Sequence, residues 1–260
     1  MQLRSLGVAT DVALIATRGT VADRGDYLVL ATPDDPGYYY GNLLVLARAP
    51  QRGEVGHWLD VFHREHAGPE IHHVTLEWDG DDEPPTDELV DAGFTVERAN
   101  VLVATAVAPA AAPDGIEVRE LIPEELARAT ELAYADIADD EPHRRFMQRR
   151  GAWKRALVAR RLAQFWGAFA DGALVGSLGV VPVSTALGRF GRFQDVQVEE
   201  PVRRRGIAAA LIAAAVAQAP PLDGFAIVAE TGSDAARVYE RAGFRIHERQ
   251  TSACRYPSRP

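Results

Sequence analysis

The chain has 260 residues, 47% of them hydrophobic and 25% charged, with a formal net charge of -9 and one cysteine. That composition excludes a disordered, collagen-like or disulfide-stapled chain and fits a soluble globular protein with room for one large core or two ordinary ones. No apolar run reaches the roughly 20 residues of a bilayer-spanning helix, and the first residues lack a signal-peptide pattern, so no membrane contact and a cytoplasmic location are expected.

Basic residues are almost all arginine, with Lys154 the only lysine; together with abundant alanine this suggests a GC-rich, bacterial genome. Cys254 stands alone, with no histidine beside it in an activating motif, and is expected to be an inert thiol. Charge is uneven: residues 1–112 hold 18 acidic and 7 basic side chains, and residues 113–260 hold 19 and 21. The acidity therefore belongs to the first half.

In chain order, DYLVLATP (26–33) and YYYGNLLVLARAP (38–50) read as strands and EVGHWLDVFHREHA (54–67) as a helix. HHVTLEWD (72–79) is a strand, DELVDAGF (87–94) a helix end, and TVERANVLVATAVA (95–108) a strand. APAAAPDG, Ala108–Gly115, is an Ala/Pro linker at the place where the charge changes, and it divides the chain into domains 1–110 and 111–260. The strand IEVREL (116–121) follows, then a helix from Pro123 to Asp140 and a second over 143–163. Three strands come next, over 164–171, 173–183 and 189–198, the first two joined by a turn at Asp171-Gly172. An Ala-rich helix from Gly206, a strand over 225–230, a helix in 233–244 and a last strand over 244–255 complete an α/β or α+β order.

The first half is a shorter version of the second. At an offset of 150 positions, Gly56 falls on Gly206, Gly93 on Gly243 and Phe94 on Phe244, the pattern of a divergent duplication.

Three consecutive arginines, Arg203, Arg204 and Arg205, stand where a helix begins. A helix start carries partial positive charge, so cations there are unfavourable unless an anion neutralises them. A strand ending at Val198, a turn, and Gly206 opening a helix of small residues is a geometry that gathers unpaired N–H groups around a phosphate.

Here the sequence resembles the GNAT superfamily of acyl-CoA-dependent N-acetyltransferases. The signature (R/Q)-x-x-G-x-(G/A) reads Arg203-Arg204-Arg205-Gly206-Ile207-Ala208 after the strand residues Val196, Gln197 and Val198, and the later A-x-x-x-Y and GF elements are Ala235, Tyr239 and Gly243-Phe244. The resemblance covers Ile116–Arg255 and implies two GNAT-like domains, each a mixed, mostly antiparallel sheet flanked by helices. It implies that Arg203 to Ala208, with the small Ala209 beside them, hold the pyrophosphate of acetyl-CoA as co-substrate. Val196 to Val198 would run beside pantetheine, the Val198 N–H polarising the thioester carbonyl. Tyr239 would protonate the departing thiolate. The asparagine that the family often has seven residues before the tyrosine is Gly232 here, and the glutamate of some members aligns with Arg192, so neither role carries over. Asp195, Glu199 and Glu230 are the candidates for the general base.

Under Arg203–Gly206 the first half has Gly53-Glu54-Val55-Gly56, and under Tyr239 it has Leu89. An acidic loop repels pyrophosphate and leucine has no proton to give, so this copy is expected to be degenerate and non-catalytic. Its charge suggests a cationic acceptor, although a solubilising surface explains it equally well. His63 and His66, at i and i+3, could share a helix face with His57 nearby and His72 and His73 beyond, but the pattern completes no zinc site and no metal is expected. The expected partners are acetyl-CoA and an amine acceptor, in a monomer or homodimer. The alternatives are a non-catalytic acyl-CoA sensor or partner-binding module, and nucleic-acid binding through the arginine-rich helix around Arg149, which the overall acidity opposes.

Overall fold

The structure, a computed structural model, describes residues 1–135 and 141–257. They form two compact units. The first contains Met1–Val101, Thr185–Leu187 and the described residues from His247 on; the second contains Leu102–Ser184 and Gly188–Ile246.

The first unit holds α1 (Leu6–Ile15), β1 (Thr20–Asp23), β2 (Tyr27–Ala31), β3 (Leu43–Leu46), α2 (Val55–Glu65), β4 (Val74–Trp78) and α3 (Thr86–Asp91). Most of β5 (Thr95–Ala104) and of the last strand, β11 (Arg245–Arg255), completes it in the order β1-β2-β3-β4-β11-β5. Three pairs in this set are antiparallel, and β3 with β4 is parallel. Val74, Leu76 and Trp78 of β4 share one core with Phe62, Leu89 and Phe94, while Leu28, Leu30, Leu43 and Val45 share another with Val8 and Ile15 of α1. Each such side chain contributes about 1.5–3 kcal/mol when fully buried.

Sequence periodicity does not reveal α1 or β1. Buried positions lie on several sides of α1, so no amphipathic stripe marks it, although the Ser5 hydroxyl accepts from the Val8 N–H as a regular N-cap. β1 is a mostly exposed edge strand without alternation.

The second unit holds β6 (Ile116–Glu120), α4 (Leu126–Ala133), α5 (Glu141–Ala159), β7 (Gln164–Ala170), β8 (Ala173–Thr185), β9 (Gly188–Val198), α6 (Ile207–Gln218), β10 (Gly224–Glu230) and α7 (Asp234–Arg241). Its strand order is β10-β9-β8-β7-β6, with β6/β7 and β7/β8 antiparallel and β9/β10 parallel. The turn at Asp171-Gly172 has φ 48 and 80 and joins Ala170 to its partner Ala173, as a two-residue hairpin requires. Ile207, Ala210, Leu211 and Ala215 bury one stripe of α6 in the core with Phe193, Ile227 and Phe244. Each unit is thus a mixed, mostly antiparallel sheet flanked by helices. The expected helix end near Asp140 lies outside the described residues.

The compact units are not the two sequence segments divided at residue 110. The stretch 105–115 has no regular secondary structure. Ser252–Arg255 of β11, however, pair antiparallel with Glu77–Val74 of β4, so the last strand completes the first unit's sheet. Periodicity shows which face of a strand is buried and says nothing about its partner.

The 150-residue repeat has one faithful part. Phe94 N–H donates to Leu89 O at 2.9 Å and Gly93 N–H to Val90 O at 2.9 Å; Phe244 N–H donates to Tyr239 O at 3.0 Å and Gly243 N–H to Glu240 O at 3.1 Å. Both glycines have positive φ, 85 and 108, so α3 and α7 end in the same Schellman motif. The match of Gly56 to Gly206 is different. Gly56 lies inside α2, whereas Gly53, with φ 85, has the left-handed conformation that Gly206 has in the second half.

Candidate active site

β9 and β10 are paired over Phe190–Arg192 and Gly224–Ala226, and the register goes no further among the described residues. β9 continues to Val198 and β10 to Glu230, so the strands run on unzipped. Three residues past Arg192, Asp195 has φ 50, left-handed backbone inside the strand. The equivalent parallel pair in the first unit stays closed: Leu44, Val45 and Leu46 pair with Leu76, Glu77 and Trp78, and the Asp79 N–H adds a bond of 2.9 Å to Leu46 O. Among the described residues, β9 and β10 both continue past their last paired residues, whereas β3 ends at Leu46, where its pairing with β4 ends.

Beyond the opening, the Arg203 side chain turns back and its Nε donates to Val198 O at 2.9 Å, tying the turn to the strand end. Arg204 has φ 64, and Arg205 Nη2 reaches Asp114 O at 3.3 Å. Gly206 is the N-cap of α6, with φ 89, and no side chain caps the helix. A Cβ on Gly206 would find only Pro113 Cγ, 4.0 Å away. The glycine is therefore needed at the N-cap for its backbone angle. An uncapped helix start at Ile207, Ala208 and Ala209, flanked by three exposed arginines, offers N–H donors and positive charge to an anion. The Val198 N–H, expected to face a carbonyl, takes the Gln197 side-chain oxygen at 3.3 Å, a long bond that a ligand oxygen can displace.

Tyr239, on α7, has a buried ring packed near Phe244, with centroids 6.4 Å apart. Its hydroxyl has no hydrogen-bond partner among the described residues, and burial pushes its pKa up to about 12. It therefore keeps its proton at neutral pH, the state a proton donor needs.

The three candidate bases differ. Lys154 Nζ lies 2.8 Å from Asp195 Oδ2, and Arg150 Nη2 and the Tyr134 hydroxyl donate to Oδ1 at 3.4 and 3.2 Å. Burial alone would raise this carboxyl, but Arg150 and Lys154 outweigh it and hold Asp195 well below the ordinary carboxylate range. With both oxygens engaged by Lys154, Arg150 and Tyr134, Asp195 is less suited than an unpaired carboxylate to accept a proton. Glu199 is paired with Arg128 at 3.0 Å. Glu230, exposed where β10 ends, makes no ion pair among the described residues.

Sequence reasoning missed Lys154, Arg150 and Tyr134 as neighbours of the site. The one available signal was the lone lysine itself, four residues after Arg150 on a helix face that also buries Trp153 and Leu157.

Other candidates fall away from the site. His63 is exposed while His66 is the buried C-cap of α2, so they share no face, and no group of three His, Cys, Asp or Glu among the described residues is placed to hold a metal. Cys254 is buried beside Thr75 Oγ1 at 3.4 Å, and burial raises its pKa to about 11, which suits an inert thiol. On α5, Arg144 and Arg145 pair with Glu141, and Arg150 is buried, so these three present no free basic face.

In the first unit, the loop under Arg203–Gly206 is already filled. Gly53 N–H donates to Glu88 at 2.8 and 3.0 Å, Arg52 pairs with Asp87 at 2.7 Å, and Glu54 accepts from Arg48 and from the Gln51 N–H. Carboxylates of this chain stand where an anion would have to approach.

A strand that runs on past its pairing with its parallel neighbour, an uncapped helix start after a left-handed glycine and a buried phenol belong to the second unit. Residues 124–244 match the sequence model of the acetyltransferase (GNAT) family. The sequence matches no curated protein. Among solved structures, the chain is similar to a functionally unknown conserved protein from Staphylococcus epidermidis, with 13% identity, TM-score 0.71 and 91% of this chain covering 93% of that one. It is also similar to a GCN5-related N-acetyltransferase from Kribbella flavida, with 18% identity, TM-score 0.65 and coverages of 96% and 95%. A third is a tandem GNAT protein from the clavulanic acid biosynthesis pathway, with 15% identity, TM-score 0.54 and coverages of 97% and 95%. At these identities the likeness shows the fold alone.

Proposed function

We propose that the second unit is an acetyl-CoA-dependent N-acetyltransferase acting on the amine of a small molecule or peptide. The observation that carries this reading is the parting of β9 from β10 after Arg192 and Ala226, directly before the uncapped start of α6. Acetyl-CoA would supply the acyl group as a thioester; as the acceptor amine takes the acyl carbon, a C–N bond forms and the C–S bond breaks.

The chain's own residues have four tasks. The N–H groups at Gly206 to Ala209 and the guanidinium groups of Arg204 and Arg205 bind the pyrophosphate, with Arg203 bracing the turn through Val198 O. The Val198 N–H, released by Gln197, donates to the thioester oxygen as charge develops there. Tyr239, which burial keeps protonated, gives its hydroxyl proton to the departing sulfur. Glu230, unpaired at the end of β10, takes the proton of the acceptor ammonium, directly or through water. The first unit, with its closed strand pair and self-filled loop, serves as a non-catalytic copy.

The test is thiol release from acetyl-CoA against a panel of amines, amino acids and peptides, alongside calorimetric titration with coenzyme A. Amine-stimulated release with coenzyme A binding supports the enzyme. Coenzyme A binding without release under any amine favours the sensor, and no binding at all ends both readings.

A further inference from the structure

Asp195 follows Arg192, the last residue of β9 paired with β10, by three positions, and its left-handed φ of 50 is a conformation that a non-glycine residue holds only when its surroundings enforce it. Lys154 Nζ binds Oδ2 at 2.8 Å, Arg150 Nη2 and the Tyr134 hydroxyl bind Oδ1, and the same Arg150 nitrogen reaches the neighbouring Gln194 Oε1 at 3.3 Å. These groups come from α5 and from the C-cap of α4, so two helices grip two consecutive residues of one strand. Lys154 is 1% exposed and Arg150 3%. Charges that deeply buried persist only where partners fix them, and an ion pair of this kind specifies geometry more than it adds stability.

The first unit provides an internal comparison. β3 has no left-handed residue and stays paired with β4 up to Leu46 and Trp78. The helix N-cap lies ten residues beyond Leu44 in the first half and fourteen beyond Arg192 in the second, so the open half has extra chain in this segment. Open strands, a left-handed aspartate and its cationic grip occur together in one unit.

We propose that Lys154 and Arg150, acting through Asp195, are positioning residues that hold the kink in β9 and keep Val196–Val198 out of the ladder with β10. The consequence for ligand binding rests on the acyl-CoA reading above; the effect on β9 does not. A compact ammonium at 2.8 Å fixes one oxygen, and arginine's wider fork cannot take the same place without displacing its neighbours.

The test uses the full chain as wild type, Lys154→Met, Asp195→Asn and, as a destabilised control in the first unit, Leu89→Ala. Amide hydrogen exchange is read separately over residues 189–192 and 194–198, together with coenzyme A affinity by calorimetry. The proposal expects both clamp variants to change exchange at 194–198 while 189–192 stay as in wild type. It also expects them to weaken coenzyme A binding about 10- to 100-fold, the scale of a misplaced binding segment. The control should leave both readouts unchanged. If Lys154→Met fails to fold, Asp195→Asn carries the comparison, since it keeps the shape and removes the charge. Unchanged exchange at 194–198, exchange altered equally along all of β9, or wild-type coenzyme A affinity in the variants overturns the clamp. If wild type itself binds no coenzyme A, the acyl-CoA reading fails and the exchange comparison alone decides the clamp.

Discussion

The Gly53 N–H donates to both carboxylate oxygens of Glu88, at 3.0 and 2.8 Å, and so the first unit binds its own anion where the second offers N–H groups to a foreign one. The chain should accordingly bind one coenzyme A, not two. Isothermal titration is expected to give a stoichiometry of one, and Arg203→Glu with Arg205→Glu should abolish that binding with little loss of stability, because both arginines are exposed and bond only to backbone oxygens. Glu88→Ala should cost about 0.5–1.5 kcal/mol for the lost bonds without creating a second site, since Glu54 remains beside the loop. Two molecules bound per chain would contradict the assignment of the first unit.

Tyr239→Phe separates enzyme from sensor. The ring is buried and the hydroxyl bonds to nothing among the described residues, so the variant should fold with nearly unchanged stability and unchanged coenzyme A affinity. Thiol release should fall by about 10²–10⁴, the usual contribution of a positioned acid. The phenol pKa, raised to about 12, also has a sign to check: the protonated donor persists across the neutral and mildly alkaline range, so no fall in rate from its ionisation should occur below about pH 11. Release that is unaffected by the substitution would assign Tyr239 to packing.

Parts of this site were legible because they depend on local chemistry. The strand, turn and Gly206 before an alanine helix, the Asp171-Gly172 hairpin and the two Gly-Phe helix ends each follow from what a few neighbouring residues permit. The partner of β11 was not legible, because β4 lies more than 170 positions away and alternation shows only which face is buried. Asp195 looked like a spare carboxylate in sequence, and only the packing of α5 against β9 shows that its charge is already taken. The Gly56–Gly206 match misled for a related reason: equal spacing does not ensure equal backbone angle, and the left-handed glycine of the first loop is Gly53.

Gly206→Ala tests the backbone argument without a steric complication. The added methyl group has open space around it, so any effect comes from forcing φ 89 on a residue with a Cβ. A stability loss of about 1–2 kcal/mol is expected, measured by urea unfolding, together with weaker coenzyme A binding as the turn relaxes. Gly53→Ala, at φ 85, should lose similar stability with no effect on coenzyme A. An alanine at 206 that leaves stability and binding intact would remove the left-handed cap from the argument.

His73 makes the stability of the first unit depend on pH. Its ring is buried beside Tyr39 and Phe62, with Nε2 3.0 Å from Asn42 O, and burial pulls its pKa down to about 4. In the unfolded chain the value returns to about 6.5, so between these limits the unfolded state binds more protons and stability rises with pH. The contribution is complete above about pH 6.5 and disappears as pH falls through about 4, a difference of roughly 3 kcal/mol at most. His66, also buried and shifted down, adds in the same direction. Urea unfolding at pH 7 and pH 4.5 should show a clear drop for wild type and a smaller one for His73→Gln, which keeps a donor for Asn42 O but has nothing to titrate. Carboxylates are common to both proteins, so the difference between the two slopes isolates the imidazole; equal slopes would mean that His73 is not held neutral in the folded chain.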